Sequence, residues 1–367
     1  MMASAYQRSR RLSVRRKALM ISCGVAAIAT VMVAGASPAA AQSFQGTGVF
    51  ANGSGTITPG TGTTFIQVDT SQAVINWTPT DNAVGNFGAI NFQPVDTIAT
   101  FNGSGDYAVL NNILVADPNR MIALNGTIQS FTGGEFTGGR IYFYSPSGFV
   151  LTGTSVFDVG SLVLSASPIT VDGNGNFINN GTVTFGQAPN PNAAITTVSD
   201  INGTSQITAP VSGSYVALVA PLVDHQGTIN VNGSAALVGA EAATITFSPD
   251  GLFNIQIDVG TTDPNGVVVS GDIGGPGSSS ADEAHRAYLV AVPKNQALTM
   301  LLSGNAGFAP ASSATIQNGT IVLAAGSNIA ETSGSLVVTS PPGINADLTI
   351  GSGTYGSSVR GFARGDI

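Results

Sequence analysis

Residues 202–231 read NGTSQITAPVSGSYVALVAPLVDHQGTINV, a stretch in which one pattern occurs twice. The turn Asn202-Gly203-Thr204 precedes short apolar runs, and a turn of the same kind returns at Gln226-Gly227-Thr228. The runs between these turns are rich in β-branched residues and show no helical periodicity, which is typical of strands. The interval from Gly203 to Gly227 is in the low twenties, a spacing that indicates a protein built from stacked coils.

The same turn occurs at three further glycines, Gly126, Gly181 and Gly319, and Gly181 precedes Gly203 by a similar interval. The runs at 160–165, 214–219 and 320–324 are apolar at both odd and even positions, which favours parallel strands with a buried inner face and a tolerant outer face. We therefore predict an all-β fold, a right-handed parallel β-helix from about residue 44 onward, with an N-terminal cap and extra antiparallel strands.

The composition excludes several other classes of protein. Charged residues make up 9% of the 367-residue chain, too few for the flanking positions of a coiled coil. Apolar residues reach 43%, which excludes a disordered acidic tail. The 47 glycines do not recur at every third position, as a collagen triple helix would require.

The first 41 residues have the layout of a secretory signal peptide. Six basic residues lie between Arg8 and Lys17, residues 18–35 are apolar, and Ala39-Ala40-Ala41 supplies a small-residue cleavage site after Ala41. The sequence does not distinguish general from twin-arginine export. After residue 41 the chain has twenty acidic and six basic residues, a net charge of −14, which disfavours nucleic acid as a partner. It also has no cysteine there, which suits a chain that is exported unfolded.

The chain after residue 41 is expected to divide into three parts, the first of which begins with a cap. Phe44 to Phe101 is less regular, contains Trp77, and is expected to form the cap of the first coil, because an open strand edge aggregates. Residues 42–259 form the main β-helical domain, residues 260–286 a Gly/Ser-rich loop or linker, and residues 287–367 further β-helix-like strands. The apolar runs predict a hydrophobic core, and strand parity implies that about a third of its residues point outward. The predicted core residues are Val163, Leu164, Val216, Leu218, Val219, Leu222, Ile229, Val238, Ile321 and Leu323.

Several segments resemble those of a known family, in the same order along the chain. They are Asn91-Phe92-Gln93-Pro94, the strand and turn from Ile113 to Met121 with Asp117-Pro118-Asn119, the turn Ser145-Pro146-Ser147-Gly148, and Gly213 to Pro221. This series resembles the N-terminal secretion domain of two-partner secretion exoproteins, the filamentous haemagglutinin-type adhesins, over Phe44 to Val259. The turn at Ser145 lies where that family has its hallmark Asn-Pro-Asn-Gly, with Ser at both Asn positions. No match to the second hallmark, Asn-Pro-Asn-Leu, is expected.

The resemblance implies a secretion-signal domain of a non-enzymatic, adhesin-like exoprotein. It implies that the partner is an outer-membrane β-barrel transporter with periplasmic receptor domains. It also implies that the protein passes through the periplasm of a Gram-negative-type bacterium and is secreted to the medium or the cell surface. Ser145, Pro146, Ser147 and Gly148 would then be the recognition loop. A secondary recognition or structural role would fall to Asn91, Phe92, Gln93, Pro94, Asp117, Pro118 and Asn119. A host or cell-surface molecule would be a further ligand.

The residues offer little catalytic chemistry after residue 41. His225 and His285 have no partner at metal-ligand spacing, and His225, next to Asp224, is expected in a surface loop. We predict no cofactor, no metal and no catalytic residue. Arg364-Gly365-Asp366 is an integrin-type tripeptide at a chain end that is expected to fray. Two alternatives remain: a free-standing β-helical surface or matrix protein, and a polysaccharide-degrading β-helix enzyme.

Overall fold

The structure, a computed structural model, describes residues 42–85, 88–134, 136–332 and 335–367. The predicted signal peptide and its cleavage site at Ala41 lie outside these residues. Every regular element in the described part is a strand. None of it forms a helix long and apolar enough to cross a membrane.

The strands follow one another with short connections. In the first half of the chain they are β1 Gly46–Asn52, β2 Gly55–Gly60, β3 Thr63–Val68, β4 Gln72–Pro79, β5 Ile90–Gln93, β6 Ile98–Gly103, β7 Ala108–Ile113, β8 Ile122–Leu124, β9 Thr127–Thr132, β10 Phe136–Thr137, β11 Arg140–Tyr144, β12 Gly148–Leu151, β13 Val156–Asp158, β14 Ser161–Ser165, β15 Thr182–Phe185 and β16 Ala194–Thr197. In the second half they are β17 Ser199–Asp200, β18 Gly203–Thr204, β19 Gln206–Ala220, β20 Leu222–His225, β21 Thr228–Phe247, β22 Phe253–Gly260, β23 Val267–Val269, β24 Asp272–Gly275, β25 Arg286–Ala291, β26 Leu298–Leu302, β27 Ala306–Phe308, β28 Thr320–Ala325, β29 Asn328–Thr332, β30 Ser335–Thr339, β31 Ala346–Ile350 and β32 Ser358–Ala363.

Three stacks of parallel strands form the faces of a parallel β-helix. Face 1 contains β3, β6, β9, β13, the starts of β19 and β21, β24 and β27. Face 2 contains β4, β7, β11, β14, the later parts of β19 and β21, β25, β28 and β32. Face 3 contains β5, β8, β12, β16, β20, β23, β26 and β31. The chain visits faces 1, 2 and 3 in turn, so the predicted β-helix is confirmed.

The coils are less uniform than the turn spacing predicts. Gln206 pairs with Thr228 in the next coil. Val156 pairs with Gln206, and the number of residues between these two partners is more than twice as large. Gly203 and Gly227 do lie at the same corner of successive coils. Gly181 does not, because it lies in a turn before β15, outside the helical coils. The low-twenties period is therefore correct for one coil and wrong as a general repeat, since insertions at the corners lengthen the others.

A second sheet covers the outside of face 2. It is antiparallel, in the order β15, the end of β21, β22, β29 and β30. Its apolar side chains form a second core with the outward side chains of face 2, among them Val163, Val219 and Val322. The prediction of a tolerant outer face is thus wrong for face 2, where the runs are apolar at both parities because both sides are buried.

Nearly all of the predicted core residues are buried. Leu164, Val216, Leu218, Ile229, Ile321 and Leu323 point into the helix interior. Val163, Val219 and Val238 point outward but are buried beneath the antiparallel sheet, and only Leu222 is half-buried. About a third of the set faces outward, as strand parity requires. Val163, Val219 and Val238 are nevertheless as fully buried from solvent as the inward residues.

The N-terminal cap is confirmed, but it is shorter than Phe44 to Phe101, because β3 to β6 are already strands of the coils. β1 pairs antiparallel with β4 at the top of face 2, and β2 pairs antiparallel with β3 at the top of face 1. Phe44 is fully buried as a plug, with its ring centroid 5.0 Å from that of Phe92 and 5.1 Å from that of Trp77. The cap strands therefore cover the starting edges of faces 1 and 2, and the plug covers the apolar end of the first coil.

The segment 260–286 is not simply a loop or linker. It contains β23, which continues face 3, and β24, which continues face 1. Its glycines do not signal flexibility: a Cβ on Gly274 would lie 2.0 Å from the carbonyl oxygen of Gly307 in the next coil. The β-helix runs through this segment into residues 287–367, and β25 continues face 2.

Candidate recognition site

The predicted recognition loop is the corner between β11 on face 2 and β12 on face 3. The Gly148 N–H donates to the Ser145 carbonyl at 3.0 Å, which closes a four-residue turn. The Ser145 hydroxyl oxygen accepts from the Ser147 N–H at 3.4 Å and lies 2.7 Å from the Ser147 hydroxyl. Both serines are buried, and only Pro146 of these four is partly exposed. Serine thus supplies the turn-stabilising oxygen that asparagine would.

Gly148 is held in place by the next coil. Its φ is +77°, the left-handed region that favours glycine. A Cβ at this position would lie 1.9 Å from the carbonyl oxygen of Ala194, which begins the neighbouring face 3 strand β16. Close stacking of coils, rather than freedom to leave the turn, therefore requires glycine here.

The preceding coil has the same turn at the same corner. The Arg120 N–H donates to the Asp117 carbonyl at 3.2 Å, and the Asp117 carboxylate accepts from the Asn119 N–H at 3.0 Å. The same carboxylate accepts from the Gly85 N–H at 3.0 Å. These backbone hydrogen bonds lower the pKa of Asp117 below its ordinary value.

The following coil also has this turn, in residues that sequence reasoning passed over. The Ala193 N–H donates to the Asn190 carbonyl at 3.1 Å, and the Asn190 side-chain oxygen accepts from the Asn192 N–H at 3.0 Å. Asn190-Pro191-Asn192-Ala193 begins with Asn-Pro-Asn but has Ala where the second hallmark, Asn-Pro-Asn-Leu, has Leu. A turn related to these, Asp263-Pro264-Asn265-Gly266, precedes β23, where the Asp263 carboxylate accepts from both the Asn265 and Gly266 N–H groups.

The signal for this column of corners was available in the sequence. Each turn has Asp, Ser or Asn, then Pro, then Asn or Ser, at 117, 145, 190 and 263. Proline suits the second position of a β-turn, and the preceding side chain accepts from the N–H two residues on. The unequal spacing of the four turns, which follows from the unequal coils, hides them from a search for a fixed period.

The corners at Asp117 and Asn190 contact each other across the predicted recognition loop. The Asn190 side-chain amide donates to the Pro118 carbonyl at 2.8 Å, although the coil with Ser145 lies between them. The Ser145 N–H donates to the Ser165 carbonyl of the following coil at 3.1 Å. The folded protein therefore encloses the polar atoms of the recognition loop between its neighbours.

Arg120 anchors a segment above this column, a contact that the sequence did not indicate. Its guanidinium forms a bidentate pair with the Asp81 carboxylate, at 3.0 and 2.6 Å, and donates to the carbonyls of Ala83 and Gly88. The Asp81 pairing lowers the pKa of that carboxyl. One buried arginine thus holds Asp81, Ala83 and Gly88 next to the Asp117 corner.

The Asn91–Pro94 segment lies elsewhere and serves the cap. Asn91 is exposed and accepts from the Asn125 amide at 3.0 Å on the outer side of face 3. Phe92 packs on Phe44, while the Gln93 amide donates to Ser43 at 3.2 Å and to the Thr127 carbonyl at 2.8 Å. The Pro94 carbonyl accepts from the Thr97 hydroxyl at 2.7 Å. The structure therefore does not bring this segment into the column of Pro-centred turns.

Two other sequence expectations are corrected. His225 is fully buried, not in a surface loop: its Nδ1 lies 2.8 Å from the Thr197 hydroxyl, and its Nε2 lies 3.1 Å from the Asp272 carbonyl. Burial lowers the pKa of His225 to about 4, so the ring is neutral at pH 7. The tripeptide Arg364-Gly365-Asp366 is not frayed, because its N–H groups donate to the Ala346 carbonyl and the Asp347 carboxylate, although its side chains are exposed.

The solved structures of similar fold include two secretion domains. The HMW1 secretion domain from Haemophilus influenzae matches 83% of this chain and 83% of its own, with 16% identity and a TM-score of 0.48. The filamentous hemagglutinin secretion domain matches 87% of this chain and 99% of its own, with 14% identity and a TM-score of 0.39. No protein-family model matches the sequence, and no curated protein matches it significantly. At these identities the likeness describes the fold alone.

Proposed function

We propose that this chain is the secretion-signal domain of a non-enzymatic, adhesin-like exoprotein, recognised by an outer-membrane β-barrel transporter with periplasmic receptor domains. The residues that resemble the family's hallmark loop support this proposal most directly. Ser145-Pro146-Ser147-Gly148 forms a closed, buried turn, and turns of the same kind stand at Asp117 and Asn190 in the adjacent coils. The predicted signal peptide and the absence of cysteine from the exported chain fit the same route.

The burial of this turn determines when a receptor reads it. In the folded state the Ser145 and Ser147 hydroxyls face each other and the Asn190–Pro118 contact closes over them. A receptor domain therefore binds these residues before the β-helix forms. In that state every strand has unpaired backbone groups, so strand addition to a receptor sheet is the natural binding mode.

Folding then follows release at the cell surface. Within the three faces, each coil of the β-helix pairs with the coil before it and the coil after it, so coils can be added one at a time. The cap strands β1 and β2 lie on the first coil and provide a finished template for the next. The product remains in the medium or on the surface of a Gram-negative-type bacterium, where its outer face can meet a host or cell-surface molecule.

The test compares two prolines that occupy equivalent corners. Pro146→Ala changes the turn that resembles the hallmark, and Pro264→Ala changes a related turn beyond the region of resemblance. Extracellular yield is measured in cells that carry the cognate transporter, and the unfolding midpoint is measured on the same variants refolded after expression without export. We expect Pro146→Ala to lower the yield while Pro264→Ala does not, with both refolded proteins retaining their midpoint.

Two outcomes would contradict the proposal. Equal losses of yield in the two variants would mean that the corner acts only through folding. An unchanged yield for Pro146→Ala would mean that the turn resembling the hallmark has no part in export. Glycine is left unchanged in this design, because a side chain at Gly148 would collide with the Ala194 carbonyl and confound folding with recognition.

A further inference from the structure

A notch opens at the corner between faces 1 and 2, away from the recognition corners. The corner after β9 carries the β9–β10 hairpin, and the corner within β19 bulges out between Ala209 and Ser214. Between them, β13 passes to β14 through Val159 and Gly160 alone. The short corner is therefore recessed, and the resulting notch has a volume of about 390 Å³, within the range of small-molecule sites.

Glycines keep the floor of the notch open. Gly139 has a φ of +81°, and a Cβ there would lie 2.3 Å from the Tyr107 ring. A Cβ on Gly160 would lie 2.3 Å from the Gly139 carbonyl oxygen. Side chains are thus excluded from the floor by close coil stacking, and the backbone is left accessible to a ligand.

The charged groups of the notch balance each other. Of the described residues that line it, only Asp106 and Arg140 are charged, and the Arg140 Nη2 donates to the Asp106 carboxylate at 2.9 Å. The Asp106 side chain is 78% exposed and that of Arg140 is 31% exposed, so both remain within reach of a ligand. The Arg140 Nε is buried without a hydrogen-bond partner in the described chain. A neutral ligand fits this pair better than an anion, which would meet Asp106 and the overall negative charge.

The remaining lining contains both polar and apolar side chains. Thr132, Thr137 and Ser248 line the notch, and their hydroxyls make no hydrogen bond to a described residue. The apolar lining includes Val211, whose side chain is 40% exposed, and Pro249. A carboxylate, a guanidinium and free hydroxyls around an apolar patch match a molecule with many hydroxyls and one apolar face.

We propose that this notch binds the neutral hexopyranose end of a glycan. Asp106 accepts hydrogen bonds from sugar hydroxyls, Arg140 donates to sugar oxygens, and the C–H face of the ring packs on Val211 and Pro249. The site is assigned to the folded, exported protein. It does not depend on how the chain is exported.

The experiment is saturation-transfer NMR on the purified folded protein. The probes are the methyl glycosides of glucose, galactose, mannose and N-acetylglucosamine, with glucuronic acid and sialyllactose as acidic comparisons. The variants are Asp106→Asn and Arg140→Gln. The matched controls are Asp258→Asn on the antiparallel sheet and Arg364→Gln near the C-terminus, neither of which lines the notch. Unfolding midpoints are recorded for all four.

We expect at least one neutral glycoside to bind, and about tenfold weaker binding when a charged hydrogen-bonding group of the notch is replaced. The controls should bind like the unaltered protein. Three results would overturn the proposal: no transfer to any neutral glycoside, transfer that survives both notch variants, or binding of the acidic sugars alone. Should Arg140→Gln lower the midpoint, Asp106→Asn decides the question, because its side chain is mostly exposed.

Discussion

At the scale of single residues, the corner between faces 2 and 3 shows how side chains replace lost backbone pairing. A corner interrupts the ladder, so its N–H groups need other acceptors. Asp117, Ser145, Asn190 and Asp263 each supply a side-chain oxygen to the N–H two residues on. The proline after each of them restricts φ to the value the turn needs and carries no N–H of its own.

Gly148 is the residue at which this corner tolerates least change. Gly148→Ala must accept a φ of +77° and a contact of 1.9 Å with the Ala194 carbonyl oxygen. Gly62→Ala is the control, because its φ is +65° and a Cβ there meets nothing within 4 Å. We expect about 1 kcal/mol of destabilisation for the control and at least about twice that for Gly148→Ala, measured by denaturant unfolding. Equal losses would show that backbone conformation, not coil stacking, limits this position.

His225 predicts a specific dependence of stability on pH. Its pKa is about 4 in the folded protein against 6.5 for an exposed ring, so the unfolded chain binds the proton first as pH falls. The contribution of the neutral ring is complete above about pH 6.5 and is lost as pH falls toward 4, a change of about 3 kcal/mol. Unfolding free energies of the unaltered protein and of His225→Gln should converge across this window. A constant difference between pH 7 and pH 4 would contradict the assignment.

At the scale of elements, the two-sided burial of face 2 explains its unusual sequence. A strand with one buried side alternates, whereas β14, β19, β21, β25 and β28 are apolar at successive positions because they lie between two layers. The antiparallel sheet that covers them is built from insertions and strand extensions, including the last part of β21. Its formation therefore requires the coils of face 2 to be in place.

Charge placed on either side of β19 tests this arrangement. Leu218 points into the helix interior and Val219 points toward the antiparallel sheet, and both are fully buried. Leu218→Asp and Val219→Asp should each destabilise the protein by several kcal/mol, about 3 or more, because each buries an unpaired carboxylate. Val337→Asp on β30, where the side chain is 50% exposed, should change the unfolding free energy by less than about 0.5 kcal/mol. A tolerated Val219→Asp would mean that the second sheet does not seal face 2.

At the scale of the whole molecule, stability comes from stacking and from closing the first coil. After residue 41 the chain has no cysteine and hence no disulfide to limit the unfolded state, and its net charge of −14 is spread along the sequence. Each coil leaves an open edge until the next one pairs with it, and the cap does this for the first coil. Loss of the cap therefore affects assembly as well as folding.

Phe44→Ala should show both effects. Removing a fully buried ring that packs on Trp77 and Phe92 leaves a cavity and should cost about 3–5 kcal/mol. We also expect the variant to self-associate, detected by light scattering as a concentration-dependent rise in mass, because the top of the first coil is no longer sealed. Val49→Ala, at a side chain that is 60% exposed on β1, is the control and should remain unchanged. A destabilised but strictly monomeric Phe44→Ala would show that the plug fills space without protecting the edge.

Local patterns in the sequence were sufficient for the fold class. Turns such as Asn125-Gly126 and Gln226-Gly227 do mark corners, and the apolar runs do form the stacked strands, because turn geometry and strand burial depend on residues close in the chain. The cap around Phe44 and Trp77 also followed from the need to close an edge. The candidate recognition turn was placed correctly at a corner, since Pro146 and Gly148 have conformational preferences of their own.

Only the tertiary structure determined which turns lie at the same corner and which strand surfaces are buried from solvent. The coil lengths follow from insertions, so no fixed period could align Asp117, Ser145, Asn190 and Asp263, and the contact between Asn190 and Pro118 joins residues far apart in the chain. Val219 reads as an outward residue in its strand, but a sheet formed from distant segments buries it. His225 is polar and adjoins a turn, yet it is buried because the next coil supplies the Asp272 carbonyl. In each case the deciding partner comes from another coil or layer, and its identity is not written in the local sequence.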